Sequence, residues 1–230
     1  YYPNGNEVPA DLEWSNYSSS EFYKLVKKNI GVMKTAFATG EEFTRAIEPI
    51  LKDGKDAMVF VISTGISGTY NAYRQYADAL LDDYEDRKIV IIDTLKYGSA
   101  GGLLAIYSVH NKNNVMSFED NVAWCNQNRY NLHEIGPMDD LRFLAKNGRL
   151  AAGKAFFGQL IGVQPLADFT VKGMTQPLGT VKGEDVANKV SLEYLKQTIV
   201  NPEEQIIIIG HSQRESRALA FKAQLEKEIK

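Results

Sequence analysis

The stretch that decides the fold is MVFVISTGISGTYNAY, which runs from Met58 to Tyr73. It belongs to an apolar run from Ala57 to Ile62, and a short run between turn signals predicts a strand buried on both faces, as in a parallel sheet. The next seven residues, Ser63 to Thr69, contain four hydroxyl side chains and two glycines and carry no charge. A helical pattern follows. We therefore expect a strand, a polar loop and a helix in direct succession.

The polar loop has two interpretations. At the carboxyl end of a buried strand, hydroxyls and backbone N–H groups can bind an anion. The same residues can also form an ordinary turn. The loop lacks the glycine spacing of a dinucleotide fingerprint, a Gly-Lys-Ser/Thr sequence and the flanking glycines of a hydrolase nucleophile. The number of hydroxyls favours an anion site.

Composition limits the classes of function. The chain has 230 residues, a net charge of −3 and a single cysteine, Cys125. Without a basic block, nucleic acid is not an expected partner. No apolar run approaches the ~20 residues of a membrane helix, so no integral membrane segment is expected. The lone cysteine excludes an internal disulfide and fits a cytoplasmic location. The start lacks a methionine and a signal-like segment, so we expect it to be trimmed.

The first half of the chain predicts a Rossmann-like, three-layer parallel sheet. A second apolar run, Ile89–Ile92, ends at Asp93-Thr94, and a helix separates it from the first run. Two buried strands with a helix between them form a βαβ unit. Capping-box patterns begin two earlier helices, at Ser18 and Thr39. Pro49 is expected to kink or end the second of these helices.

The second half predicts a smaller, mixed α/β domain. Polar residues cluster at 126–131, so we expect domains at residues 1–128 and 129–230, with the ligand between them. The expected elements are a strand (132–135), a helix (139–146), a hairpin turning at Lys172-Gly173, a helix (185–199), a strand (205–209) and a terminal helix (213–230) with Leu219 and Leu225 inward.

Three features of this half are candidates for a site. Arg149 follows a predicted helix end at Gly148, where it can bind an anion or pair with an acid. His211 follows the predicted strand 205–209, where it lines a cleft or lies on the surface. An apolar helix at 151–161 forms core or walls a tunnel for an apolar ligand, and its large side chains are Phe156, Phe157, Leu160 and Ile161. The histidines show no ligand spacing, so no metal and no cofactor are expected.

Several motifs together resemble one family. The sequence from Ser63 to Tyr70, STGISGTY, is similar to the Ser-Ser-x-x-Ser-Gly-Thr-Tyr motif of the DegV family of bacterial fatty-acid-binding proteins. The segment 139–150, DDLRFLAKNGRL, resembles that family's Asp-x-Leu-x-x-Leu-x-x-Gly-Gly-Arg-Ile stretch. The segment 158–166 fits its Gly-x-Leu-x-x-x-x-Pro sequence, and Asp93-Thr94 falls at its Asp-Ser.

The resemblance implies a non-catalytic carrier of a long-chain fatty acid. Such a protein presents the carboxylate to a separate ATP-dependent fatty acid kinase, which makes an acyl phosphate for phospholipid synthesis. On this pattern Ser67 is the first carboxylate ligand and Thr35 the second, because residues 34–39 fall at the family's Thr-Ser-Gln-Pro-Ser. The expected ligand-binding set is Ser67, Thr35, Ser63, Gly68 and Thr69.

The sequence departs from the family in ways that keep other functions open. Ala36, Phe37 and Ala38 replace polar residues or proline, and Asn147 replaces a glycine beside Arg149. The family's opening Asp-Ser-Thr strand and closing His-x-Gly-Pro-Gly segment are missing from these residues. A phosphate- or nucleotide-handling α/β enzyme, with Ser63–Thr69 as an anion cradle, is the alternative. A family member that serves only as an interaction module is a third.

Overall fold

The computed structural model describes residues 2–11, 13–30, 32–138, 141–150 and 163–229. In these ranges the helices are α1 Ser19–Lys28, α2 Gly40–Lys52, α3 Thr69–Leu81, α4 Gly98–Asn113, α5 Phe118–Asn128, α6 Arg142–Lys146, α7 Glu184–Thr198 and α8 Glu215–Glu228, with a short 3-10 helix at Pro202–Glu204. The strands are β1 Ala57–Val61, β2 Ile89–Asp93, β3 Gly136–Pro137, β4 Gln164–Phe169 and β5 Thr175–Val181.

A parallel pair of strands, β1 and β2, forms the centre of the first half. Their register runs from Ala57 opposite Ile89 to Val61 opposite Asp93. Alternate side chains of a strand point to opposite faces. Ala57 and Val61 therefore pack with α2 and α3, while Ile92 packs with α4 and α5 on the other face. The helices on both faces complete the three-layer α/β arrangement that the sequence predicts.

The helix α2 begins as its sequence predicts but continues past its proline. The Thr39 hydroxyl accepts a hydrogen bond from the amide of Glu42, and the Glu42 carboxylate accepts one from the amide of Thr39. Pro49 lies inside the helix, which reaches Lys52, so the prediction of an end at the proline was wrong. Phe43, Ile47 and Leu51 are buried, so packing on both sides of Pro49 holds the last turn in place.

A three-stranded antiparallel sheet, in the order β3-β4-β5, forms the second half. The predicted hairpin is confirmed, and it turns at Gly173 with a φ of +71°. The predicted strand at 132–135 was wrong, because the strand lies at Gly136–Pro137 instead. Helix α7 packs against β3 and β4 and buries Ala187 and Leu192. The mixed α/β composition of this half agrees with the sequence.

The last part of the chain differs from its prediction. Residues 205–210 form neither helix nor strand, so the predicted strand at 205–209 was wrong, and the amide of Ile206 donates to the Tyr107 hydroxyl (2.9 Å). In α8, Leu225 is buried as expected, but Leu219 is 58% exposed and its predicted inward position was wrong. The division of the chain at residues 128 and 129 remains a prediction. Within the ranges described, no helix combines the length and the apolar character that crossing a membrane requires.

Candidate functional site

The polar loop Ser63–Thr69 lies where the sequence places it, between β1 and α3. Its neighbour is the loop that follows β2, because parallel strands end at the same edge of a sheet. The amide of Ser63 donates to the carbonyl of Lys96 (2.9 Å), and the amide of Thr64 donates to the Asp93 carboxylate (3.2 Å). The two loops therefore form one continuous polar edge.

The Ser63 side chain joins this edge to the second sheet. Ser63 is completely buried, and its hydroxyl donates to the carbonyl of Gly173 at the hairpin tip (2.7 Å). The same oxygen accepts the amide of Gly65 (3.0 Å). The hydroxyl hydrogen of Ser63 thus bonds within the protein. Ser63 links two segments of the chain that are 110 residues apart.

The hairpin tip fits against the loop only because both sides carry glycine. A Cβ atom on Gly65 would lie 2.6 Å from the carbonyl oxygen of Lys172. A Cβ atom on Gly173 would lie 1.8 Å from Ser63 Oγ and 3.2 Å from the Cα of Leu95. Leu95 itself is buried and has a φ of +55°. The contact is therefore a backbone-to-backbone approach without space for side chains.

Asp93 fixes the second hydroxyl of the loop. The Thr64 hydroxyl donates to Asp93 Oδ2 (2.6 Å), and the amide of Leu95 donates to Oδ1 (3.0 Å). Asp93 is only 7% exposed. A buried carboxylate requires hydrogen-bond donors, and the two loops supply them, one from Thr64 and the other from Leu95. Sequence reasoning placed Asp93 at the end of β2 without assigning it this partner.

Ser67 and Thr69 form a pair on the half-exposed side of the loop. Their hydroxyl oxygens are 2.7 Å apart, and the amide of Thr69 donates to Ser67 Oγ (3.2 Å). Gly68, the N-cap of α3, has no side chain to bond to the helix, and the first amide of α3, that of Thr69, is the one that Ser67 Oγ accepts. The first amides of a helix carry a partial positive charge. The pair and the helix end together offer hydrogen-bond donors without a permanent cation.

The segment that contains Thr35 reaches the loop through Phe37. A Cβ atom on Gly68 would lie 3.6 Å from the Phe37 ring, which is 44% exposed. Thr35 lies two residues earlier and is exposed. The structure thus brings the segment 33–39 to the polar loop, where the aromatic ring of Phe37 approaches Gly68. The assignment of Thr35 to the ligand stays a prediction.

Arg149 also reaches the loop, from the second half of the chain. Its Nε donates to the carbonyl of Ile66 (3.1 Å), and its Nη1 donates to the carbonyl of Asn147. Gly148 before it has a φ of +69°, as the predicted helix end requires. From the sequence, the expected partner of Arg149 was either a bound anion or an acidic side chain. These bonds place the guanidinium on backbone carbonyls, next to the residue that precedes Ser67.

His211 makes its hydrogen bond away from the polar loop. His211 is exposed, and its Nδ1 accepts the amide of Arg214, which precedes α8. Gly210 instead packs against Ser99, where a Cβ atom would lie 2.6 Å from the Ser99 hydroxyl. The tunnel-lining candidates lie outside the described residues, so their role stays a prediction: Phe156, Phe157, Leu160 and Ile161. Over the described part of the chain, no three His, Cys, Asp or Glu side chains are grouped to hold a metal ion.

A second polar cluster, centred on Asp168 of β4, was missed by sequence reasoning. The Tyr194 hydroxyl donates to Asp168 Oδ2 (2.6 Å), and His133 Nδ1 lies 2.9 Å from that hydroxyl and 3.4 Å from the carboxylate. Burial acts to raise the pKa of Asp168, but hydrogen bonds from His133, Tyr194 and two backbone amides outweigh it, and the pKa falls below its usual value. Burial and the bond to Asp168 raise the pKa of Tyr194.

Glu134 and Lys96 are two further ionisable groups near Asp168. Burial raises the pKa of Glu134 to about 7, although the amides of Tyr97 and Ser99 at the start of α4 donate to its carboxylate. Its Oε2 is buried without a hydrogen-bond partner. Burial lowers the pKa of Lys96, whose Nζ lies 5.7 Å from the centre of the Phe169 ring, while the carboxylates of Asp168 and Glu134 oppose that shift.

Replacing Gly65 with alanine is expected to destabilise the protein by about 1–3 kcal/mol, because the added methyl group would overlap the backbone of the hairpin tip. Gly102→Ala is the matched control. Gly102 lies in α4 with open space around its Cβ position, so alanine should stabilise that helix by roughly 0.5–1 kcal/mol. Urea unfolding monitored by circular dichroism measures both changes. A Gly65→Ala variant as stable as the wild type would contradict the close contact.

Glu134 should make stability fall as the pH rises from 4.5 to about 7. Because the folded protein binds this proton more tightly than the unfolded chain, deprotonation in that interval favours unfolding. Asp168, whose pKa is lowered, acts in the opposite sense and only at lower pH. Glu134→Gln should reduce the loss of unfolding free energy between pH 5 and pH 7 by about 1–3 kcal/mol. Urea unfolding at both pH values tests this, with the exposed Glu41→Gln as control. An equal loss in wild type and Glu134→Gln would refute it.

Sequence comparison identifies relatives of this chain. The family model described as "Uncharacterised protein, DegV family" matches residues 6–230. A DegV domain-containing protein of Clostridium perfringens is 29% identical over 198 residues, which are 86% of this chain and 68% of the relative. One of Streptococcus pneumoniae is 28% identical over 214 residues, which are 88% and 73% of the two chains.

Solved structures show the same fold. A stearic acid-binding protein from Eubacterium ventriosum superposes with a TM-score of 0.84 at 21% identity, over 98% of this chain and 77% of the other. DegV from Bacillus subtilis, a fatty acid binding protein, superposes with a TM-score of 0.72 at 24% identity, over 91% and 73% of the two chains. The family match covers nearly all of the sequence and confirms the resemblance of its motifs: this chain belongs to the DegV family.

Proposed function

We propose that the protein binds a long-chain fatty acid, with the carboxylate at the half-exposed pair Ser67 and Thr69. The observation that carries the proposal is this hydroxyl pair at the start of α3, in a chain whose relatives include fatty-acid-binding proteins. A carboxylate accepts several hydrogen bonds at once, and hydroxyl and amide donors suit it. The backbone of Gly68 belongs to the same turn.

The other loop residues support the head group in different ways. Ser63 holds the loop against the hairpin, and Asp93 holds Thr64. The Arg149 guanidinium adds a positive charge beside Ile66, on the loop that receives the carboxylate. Thr35 lies two residues before Phe37, whose ring approaches Gly68, and we retain Thr35 as a second ligand in the proposal. The site thus combines neutral donors close to the anion with one cation behind them.

The hydrocarbon tail would supply most of the affinity, at ~0.8 kcal/mol for each buried CH₂ group. We propose that the apolar segment with Phe156, Phe157, Leu160 and Ile161 walls the tail, which is one of the two roles that its sequence allows. The exposed Phe37 ring beside Gly68 is apolar surface at the mouth of the same site. His211 accepts a hydrogen bond from the amide of Arg214, just before α8, and is not needed for this proposal.

Binding is tested by the lipid itself. Native mass spectrometry of the protein from a bacterial host should show a co-purified ligand of fatty-acid mass, and delipidated protein should take up oleate or palmitate. Ser67→Ala should weaken oleate binding about tenfold with little change in unfolding midpoint, since it removes one hydrogen bond to a charged group. A lipid-free protein that binds neither acid, but is stabilised by nucleotides in a thermal-shift screen, would favour the alternative of a nucleotide-handling enzyme.

We further propose that the protein is not itself the catalyst and that a separate ATP-dependent fatty acid kinase phosphorylates the bound acid. Support comes from the half-exposed position of Ser67 and Thr69, which leaves a carboxylate there within reach of a second protein. A cytoplasmic site of action belongs to this proposal, because the kinase requires ATP.

Phosphorylation of the bound acid by a separate kinase, here called the handover, is tested with a purified fatty acid kinase and hydroxylamine. Hydroxylamine traps an acyl phosphate as the hydroxamate. Hydroxamate should form only when this protein, its bound acid, the kinase and ATP are all present. Formation without the kinase would identify the protein as an enzyme, and no formation with several kinases would argue against the handover.

A further inference from the structure

The start of α4 is capped by a side chain from the second half of the chain. Tyr97, the N-cap residue, makes no side-chain hydrogen bond to its own helix. The amides of Tyr97 and Ser99 donate instead to the carboxylate of Glu134, which lies just before β3. Gly98 has a φ of +53°, and a Cβ atom there would lie 3.3 Å from Glu134 Oε1. The Glu134 carboxylate therefore joins the two halves of the chain at this helix end.

The two oxygens of Glu134 have different surroundings. Oε2 is buried and has no hydrogen-bond partner among the described residues, so both amides bond to Oε1. Oε2 can therefore carry a proton without displacing either amide. When the carboxylate is ionised in the same place, one of its charged oxygens is buried without a donor. The geometry thus suits the protonated form better than the charged form.

Other contacts between the two halves near the polar loop do not change their charge with pH. The Ser63 hydroxyl bonds to the Gly173 carbonyl, and the Arg149 guanidinium bonds to the Ile66 carbonyl. A serine hydroxyl and a guanidinium both keep their protons at physiological pH. The contact of Glu134 differs from them, because a carboxyl group can gain and lose its proton.

Ionisable side chains face the Glu134 carboxylate from the elements around it. Lys96, on the loop before α4, favours the charged form of Glu134, whereas Asp168 of β4 opposes it. Burial raises the pKa of Tyr97 to about 12, so this hydroxyl stays neutral at physiological pH. Two further titratable side chains in this region bond to the Asp168 carboxylate, namely His133 and Tyr194.

Burial makes the opening of the Glu134 contact depend on pH. It raises the pKa of Glu134 from its ordinary value of 4.5 to about 7, although Lys96 and the two amides lower it. When the contact opens, water solvates the carboxylate and its pKa returns toward the ordinary value. Between these two values the open state binds fewer protons than the closed state. Raising the pH from 6 to 8 should therefore shift the equilibrium about tenfold toward the open state.

We propose that Glu134 is a pH-sensitive latch, which in its protonated form holds β3 and the start of α4 together around the bound acid and in its ionised form lets them part. The inference rests on the proposed function, in which the head group binds to the first half and the tail to the second. Separation of the halves then frees the ligand. Lys96 connects the latch to the polar loop, because its carbonyl accepts the amide of Ser63.

The first test measures the release of oleate from loaded protein at pH 6 and pH 8, by stopped-flow transfer to an excess of serum albumin. The wild type should release oleate about tenfold faster at pH 8. Glu134→Gln is neutral at both pH values, so its two rates should agree within about threefold. The exposed Glu41→Gln is the control and should keep the wild-type ratio. Comparison of the variants cancels any ionisation of oleate itself.

A second test follows the latch without a ligand. Amide hydrogen exchange of Tyr97 and Ser99, corrected for the intrinsic rate, should show protection that falls about tenfold from pH 6 to pH 8 in the wild type. In Glu134→Gln this protection should change little. Should that variant fail to fold, Lys96→Met replaces it. The loss of this cation should move the midpoint of the pH dependence upward.

The outcomes separate this inference from the proposed function. If the wild type binds oleate but its ratio of release rates is the same as that of Glu134→Gln, the latch is overturned and the function stands. Protection of Tyr97 and Ser99 that is equal at the two pH values also overturns the latch, whether or not oleate binds. If the wild type binds no fatty acid, the proposed function fails and the control of ligand release fails with it.

Discussion

The approach of the hairpin tip to the polar loop is the contact on which the rest of the site depends. At Gly65 and Gly173 two backbones meet without intervening side chains, and the buried Ser63 hydroxyl closes the contact with a hydrogen bond to Gly173. This contact connects a parallel sheet near the start of the chain to an antiparallel sheet near its end. The ordering of a surface loop costs conformational entropy. Here the contact with the hairpin offsets part of this entropy loss during folding. The donors at Ser67 are therefore ordered before a ligand binds.

Buried carboxylates are arranged around this contact with different partners. The Asp93 carboxylate accepts hydrogen bonds from the loops after β1 and β2. The Asp168 carboxylate accepts hydrogen bonds from a tyrosine, a histidine and backbone amides. Glu134 has one oxygen with donors and one without. Burial raises the pKa of Glu134 to about 7, so its charge changes near neutral pH, whereas the pKa of Asp168 lies below its usual value. Each partner set follows from what the neighbouring backbone can donate.

The sequence predicts those features whose interactions are local. The capping box at Thr39 and the turn at Gly173 depend on residues within a few positions of one another. Each strand of the βαβ unit is marked by its own apolar run, although the two strands pair across a helix. The bond of Ser63 spans 110 residues and that of Arg149 to Ile66 spans 83, and no pattern within the sequence specifies such pairs.

The same distinction explains the errors. The apolar run at 205–209 has the composition of a strand, but a strand forms only where a neighbouring strand is available. The amide of Ile206 donates to the Tyr107 hydroxyl instead of to a strand. Leu219 fits the helical spacing of apolar residues in α8, but its side chain is exposed, whereas that of Leu225 is buried. The Asp168 cluster joins residues from three separate elements, so it was not recognisable before folding.

The backbone at Leu95 carries a consequence for sequence variation. Its side chain is buried, which alone would allow any aliphatic residue of similar size. Its φ of +55°, however, lies in the left-handed region, where β-branched residues are strongly disfavoured. Leucine or methionine should therefore be tolerated at this position, whereas isoleucine and valine should not. Evolution can thus vary this position only among side chains that the turn accepts, whatever their hydrophobicity.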